Sequence, residues 1–439
     1  MKNLKLAAVC LSCLTMTGCS ALNFSVEGLI NAPKLTSEQS EIHQALIESV
    51  GSNITLKYPK NGEYRSAYVI ANIDDEPTDE AMVFYEYTSN GSEEDGLRVN
   101  ILDKDEDGKW YSVKELAGAG TDIDQVIISP MGSNNQTDVF VGYQNLTNDE
   151  KTMEIYSYTD GDFKRVALDT YSVLEPLDIN NDGYIELITI QRSTNNDTKA
   201  SMLNMKNNEI TRGENVDMCD NVTSYVSSKT GMLDSGRRAI FIDGLTADGK
   251  LQTEIIYYRY SGLQNPMQLR SEKLLPLCTR PAGYYSEDMD GDGDVEIPST
   301  SPMVGYENAV ADEMLYMTTW SVYEDFYDLK TKYTGYYAIS DGYFVTFPKR
   351  WNSSVTVKKD SDTNELVFYK YTGDINESNE EIMRIAVSSK NDSEDYISDG
   401  YELIDSKGQL DYFVKLPLDR REKLIPTIDE IQNNFYIIN

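Results

Sequence analysis

The sequence predicts a mainly β fold: a β-propeller of about five four-stranded blades, preceded by one short helix and followed by a small α+β domain. Three observations predict it. Runs rich in Val, Ile and Tyr alternate apolar with polar residues between Gly, Asn and Asp clusters, which is the period and the punctuation of β-strands. A polar nine-residue loop that runs into a hydrophobic strand recurs from positions 72, 130, 178, 230 and 288. The interval, about 50 residues, leaves room for four short antiparallel strands, and such a unit buries both its faces only against neighbouring units.

In chain order, residues 1–18 read as an export signal. Lys2 and Lys5 precede an apolar run from Leu6 to Leu14, which is too short to span a bilayer, and small residues follow. Met16-Thr17-Gly18-Cys19 resembles the lipobox of bacterial lipoproteins, and that resemblance implies cleavage before Cys19 and a diacylglycerol, palmitate-type anchor on its thiol. The expectation is a protein held by lipid on the extracytoplasmic face of a cell membrane and otherwise water-soluble. Cys10 and Cys13 leave with the signal, so Cys219 and Cys278 remain beside the anchor. Export permits a disulfide between them. They precede their respective loops at near-equivalent places, and a disulfide or two free buried thiols both stay open.

Residues 19–35 read as a tether and 36–51 as one helix. Thr36 with Gln39 makes a capping box, Ile42, Ala45, Leu46 and Val50 form an apolar face, and Gly51 ends it. The propeller is expected over 52–335. In its second unit the strands fall at about 121–129, 137–145, 151–158 and 162–169. From about Tyr336 the loop repeat disappears, and residues 336–439 read as a separate domain. GYFVTFP, SVTVKK, ELVFYKY, EIMRIAVSS, YELID and DYFVKLP are its strands, and a closing helix from Pro426 carries Ile428, Ile431, Phe435 and Ile438.

Two of the nine-residue loops, DINNDGYIE and DMDGDGDVE, have the chemistry of a calcium site. Calcium takes about six to eight hard oxygens. Side chains at positions 1, 3 and 5 turn toward one centre, Gly at 6 permits the reversal, the carbonyl at 7 adds a ligand and a carboxylate at 9 closes the shell. The expected ligands are Asp178, Asn180, Asp182, the Tyr184 carbonyl and Glu186, and Asp288, Asp290, Asp292, the Asp294 carbonyl and Glu296. The competing reading is a turn whose carboxylates accept backbone N–H bonds. An EF-hand is excluded: position 12 is Thr189 or Ser299, and the flanks are strands. The pattern resembles the FG-GAP and VCBS repeats of integrin-type propellers and bacterial exported proteins. That resemblance implies a loop between the first two strands of a blade, often with calcium, and no assigned activity. The other three loops depart from it, with Pro77 at position 6, few acids in 130–138, and Arg238 at position 9. DKDEDGKWY from Asp103 imitates the motif, but its place is a hairpin turn.

Net charge is −34, which argues against nucleic acid and favours cations. The single histidine, His43, is expected on the solvated side of the first helix. That leaves no histidine in the repeat region for Ser–His–Asp or Cys–His catalysis, and one histidine cannot make a His-rich zinc site. No glycine-rich phosphate loop precedes a helix. Paired-carboxylate glycoside chemistry needs no histidine and stays open. Tyr, at 31 residues, and the three Trp could stack on sugars, but Tyr also suits strands. The expectation is therefore a non-catalytic, membrane-anchored binding or scaffold module braced by calcium, with an unknown protein or glycan ligand. The alternatives are a calcium-dependent carbohydrate-binding adhesin and, less favoured, a polysaccharide-active enzyme.

Overall fold

The computed structural model describes residues 35–438, apart from 75, 89–95, 131–136, 146–149, 160–161, 193–196, 207–208, 311–312 and 325–327. The signal segment and Cys19 lie outside the described residues. The chain divides into two units, one of residues 1–57, 66–72 and 77–117, the other of 58–65, 73–76 and 118–439.

In the first unit, helix α1 spans Ser37–Val50. The Thr36 hydroxyl accepts from the Gln39 N–H and the Gln39 side chain accepts from the Thr36 N–H, so two of the helix's open donors are satisfied. Its apolar face meets an antiparallel sheet of β1 (Ile54–Leu56), β2 (Tyr68–Ala71), β3 (Glu80–Tyr87), β4 (Leu97–Lys104) and β5 (Trp110–Ala117), with β1 and β2 both on β3. Ile42 and Leu46 pack there with Tyr68, Val83, Tyr85 and Trp110. His43 departs from expectation. It is half-buried and pairs through Nδ1 with the Tyr68 hydroxyl at 2.8 Å, because the helix side it occupies lies beside β2. The turn after Asp103 is the expected hairpin, with Asp105 accepting from the N–H groups of Asp107 and Lys109.

The second unit is a series of antiparallel sheets, the first three of them up-and-down. The first contains β6 (Asp122–Pro130), β7 (Thr137–Gln144), β8 (Lys151–Thr159) and β9 (Asp162–Tyr171), within two residues of the expected ends. The next holds β10 (Val173–Leu177), β11 (Glu186–Arg192), β12 (Thr198–Lys206) and β13 (Glu209–Asp217). A third holds β14 (Val222–Met232), β15 (Arg238–Thr246), β16 (Lys250–Arg259) and β17 (Gly262–Gln264). Helices α2 (Pro266–Leu269) and α3 (Ser271–Cys278) then lead to β18 (Thr279–Pro281), which pairs with β16. After β19 (Ile297–Pro302), β20 (Tyr316–Glu324), β21 (Asp328–Ala338) and β22 (Tyr343–Thr346) comes a last sheet. It orders β23 (Val355–Lys359), β24 (Leu366–Lys370), β25 (Glu381–Ser389), β27 (Leu410–Lys415) and β26 (Glu402–Lys407), with α4 (Ser393–Ser398) between β25 and β26.

Apolar clusters join successive sheets. Ile127, Phe140 and Ile155 meet Leu174, Leu187 and Leu203. On the other face of that second sheet, Ile188, Ile190 and Ala200 meet Ile240, Ile242 and Ile256. The second sheet thus buries two faces, as the repeat requires.

Three expectations are corrected. Residues 336–439 are not separate: β21 runs through the boundary, and β28 (Phe435–Ile437) returns to pair with β22. One core cluster holds Tyr343 and Val345 together with Val357, Phe368 and Ile385. The closing helix is a single short segment, α5 (Ile428–Gln432), capped by Thr427, because Phe435 is drawn into the β28 pairing. Cys219 and Cys278 form no disulfide; both are free, buried thiols. Cys278 ends a helix while Cys219 precedes a strand, so their places are not equivalent. Burial raises both thiol pKa values, that of Cys278 to about 12.

Candidate functional site

Loop 178–186 joins β10 to β11. Gly183 at φ 93° and Asn181 at φ 66° make the reversal. Asp178 accepts from the N–H groups of Asp182 (3.0 Å) and Gly183 (3.2 Å), and Asp182 accepts from that of Tyr184 (2.9 Å). The buried Glu186 accepts from the Ile179 N–H. The remaining carboxylate oxygens face donors of the protein itself. Asn180 Nδ2 donates to Asp182 (3.0 Å) and Glu186 (2.8 Å), and Arg238 lies 3.1 Å from Asp178 Oδ2. The arginine that disqualifies loop 230–238 as a cation site therefore pairs with one carboxylate, Asp178, of the preceding loop. The Tyr184 ring is exposed.

Loop 288–296 precedes β19. Asp288 accepts from the N–H groups of Gly291, Asp292 and Gly293, Asp292 accepts from that of Asp294, and Glu296 accepts from that of Met289. Oxygens of Asp288, Asp290 and Glu296 all lie within 4.8 Å of one another, a spacing that fits a metal. The side chain of Lys332 has reached the same place. Its Nζ is 2.8 Å from Asp290, 2.6 Å from Asp292 and 2.8 Å from Glu296. Tyr333 donates to Asp290 at 2.6 Å. The carboxyl chemistry thus suits calcium, but part of the shell is spoken for by an ammonium and a phenol. Neither Lys332 nor Tyr333 was legible as a site residue, since both read as positions of one strand.

A different site emerges from the first strands of three successive sheets. A cavity of about 400 Å³ is lined by Asn61, Gly62, Asp124 and Gln125, Lys151, residues 172–175 and residues 225–228. A second, of about 290 Å³, shares Lys151, Ser172 and Tyr225 with it. Asp124 is 1% exposed and accepts from Asn61 (2.8 Å), Lys151 (2.9 Å) and Tyr171 (2.6 Å). Gly142 makes room for the last contact: a Cβ there would lie 2.1 Å from the Tyr171 hydroxyl. Glu175 accepts a hydrogen bond from Ser228.

The two carboxyls are driven apart. Burial works against ionisation of Asp124, but Lys151, Tyr171 and Asn61 outweigh it and hold its pKa below the ordinary value. Burial raises Glu175 and outweighs the downward pull of the Ser228 hydrogen bond and of Lys151, with the charge of Asp124 the smallest contribution to the rise. One cavity therefore holds an ionised and a protonation-prone carboxyl. The sequence offered no signal for this pair among 73 acids, because both sit in ordinary strand positions. All three tryptophans, Trp110, Trp320 and Trp351, are buried core residues and offer no platform for sugars.

Burial also raises Glu254, and raises Glu186 and Glu296 to about 7. A carboxyl whose pKa is higher folded than unfolded makes the folded state bind more protons, so its contribution falls as pH rises from the unfolded value to the folded one. The melting temperature is expected to be lower at about pH 8 than at about pH 5.5. Glu254→Gln is expected to remove part of that difference, because Glu254 is raised by burial and its Oε1 has no hydrogen-bond partner among the described residues. Equal melting temperatures at the two pH values would count against these shifts.

No protein-family model matches the chain, and no curated protein matches it. Some solved structures do. The Pseudomonas aeruginosa periplasmic gluconolactonase matches with 10% identity and a TM-score of 0.32 over 76% of this chain and 95% of its own. The Penicillium chrysogenum alpha-L-arabinanase matches with 9% identity and a TM-score of 0.28 over 83% and 98%. A rhamnogalacturonan lyase matches with 9% identity and a TM-score of 0.29 over 72% and 74%. At these scores the likeness assigns no substrate. Each of these structures is named as an enzyme, and the expectation of a non-catalytic role is withdrawn on the cavity rather than on that likeness. The physical reason is that carboxyl chemistry needs no histidine, and the cavity holds a carboxyl pair.

Proposed function

We propose that the chain is a lipid-anchored extracytoplasmic protein, a β-propeller of about five blades whose cavity between β6, β10 and β14 binds a hydroxyl-rich ligand. We further propose that Glu175 donates a proton to an oxygen of that ligand. The observation that carries the reading is the opposed state of Asp124 and Glu175 in one polar cavity. Titratable pairs pushed apart in this way supply the acid and the base of carboxyl-based catalysis. Asp124, already bonded to Asn61, Lys151 and Tyr171, acts by positioning Lys151 and keeping charge beside Glu175. The cavity lining offers further partners for hydroxyl groups in Ser172, Ser227 and Ser228. The strongly acidic surface disfavours nucleic acid as the ligand.

The test is a screen of oligosaccharides and sugar lactones for turnover, followed by Glu175→Gln on any substrate found. The variant is expected to lower kcat by about 100-fold or more while leaving ligand affinity within about threefold. No turnover by the wild type, or unchanged kcat in the variant, would overturn the proposal.

A further inference from the structure

Lys332 is placed by a fault in its own strand. Along the β20–β21 ladder Trp320 faces Tyr333 and Ser321 faces Thr331, so Lys332 is the extra residue of a β-bulge. A bulge re-aims a side chain that regular pairing would direct elsewhere. Here it sends the lysine into loop 288–296, where its three ammonium hydrogens meet three carboxylates: Asp290, Asp292 and Glu296. Glu296 is fully buried, and Asp288 is engaged by backbone N–H groups. One ammonium of the chain thus offsets part of the loop's negative charge.

We propose that Lys332 is the resident cation of loop 288–296, and that a divalent cation enters the loop only by displacing it. Calcium needs about six to eight oxygens around one centre, and the ammonium already holds three of the carboxylates that would supply them. Removing the lysine leaves those carboxylates unpaired and mutually repelling, so the same change that weakens the loop without metal opens it to calcium.

The experiment compares Lys332→Met with its parent, both in an Asp182→Ala background so that loop 178–186 contributes no calcium response. Calcium is titrated calorimetrically, and thermal unfolding is followed in EDTA and in calcium. The parent is expected to melt at the same temperature in both. Lys332→Met is expected to melt lower in EDTA, to recover in calcium, and to bind calcium at least about tenfold more tightly than the parent. Adding Asp290→Asn to Lys332→Met is expected to abolish that gain. The proposal is overturned if the parent gains as much from calcium as the variant, or if the variant gains no affinity. Should Lys332→Met fail to fold in EDTA, Lys332→Gln provides the same contrast.

Discussion

Asp243→Ala is expected to destabilise the fold by about 3–5 kcal/mol, because it leaves a buried guanidinium without its counter-charge. Asp243 on β15 and Arg280 on β18 have side chains 1% and 0% exposed and lie 2.8 Å apart. Every guanidinium nitrogen is engaged. Nε donates to the Tyr284 carbonyl, Nη1 to Thr253 and the Cys278 carbonyl, and Nη2 to Asp243 and Ser286. Asp243 in turn accepts from the Thr253 hydroxyl at 2.6 Å and from the Ser286 N–H at 2.6 Å. The network ties the segment after α3 to the sheet of β14–β17. A domain's whole stability is typically about 5–15 kcal/mol, so this loss is a large share of it. Denaturant unfolding measures it as a shift of midpoint at constant slope. The double variant Asp243→Leu with Arg280→Met is expected to lose less than the sum of the single changes, since no charge is then stranded. A loss below about 1 kcal/mol for Asp243→Ala would refute the assignment of a buried, fully paired ion pair.

Trp351→Ala is expected to cost a similar amount, about 3–5 kcal/mol. The ring is 2% exposed, packs against Phe347 with centroids 5.2 Å apart and Phe368 at 5.6 Å, and its Nε1–H donates to the Leu424 carbonyl at 2.7 Å. Truncation removes the largest side chain of the cluster shared by the β19–β22 sheet and the β23–β27 sheet and leaves a cavity between them. Trp351→Phe keeps most of the apolar volume and loses the Leu424 bond, so its cost is expected to be smaller. A variant in which only the C-terminal sheet unfolds early, leaving a separate second transition, would contradict a core shared by both sheets.

Local signals were legible wherever the physics is local. The capping box of Thr36 and Gln39 sets the start of α1 within one chain turn, and that contact is the one observed. Alternation over 122–171 specified four strands because each strand of a stacked sheet has one period and turn residues at both ends. The Asp, Asn and Gly positions of 178–186 and 288–296 determined two tight reversals, since Gly183 and Gly293 both take φ of 93°.

What the sequence could not determine were the meetings between distant strands. Arg238 was legible as a cation in its own loop, but its reach to Asp178 depends on how two sheets stand side by side. Lys332 was one more polar strand position until a bulge turned it toward Asp290, Asp292 and Glu296. The break expected near Tyr336 followed the end of the repeat, whereas the β22–β28 pairing is made by residues some 90 positions apart. Asp124 and Glu175 share a cavity because successive sheets bring their first strands together, and no short-range pattern encodes that. Composition and period act over a few residues and determine which elements form. Charge pairing, burial and cavity shape act through space, so the tertiary structure alone decided which of the described acids are paired, buried or exposed.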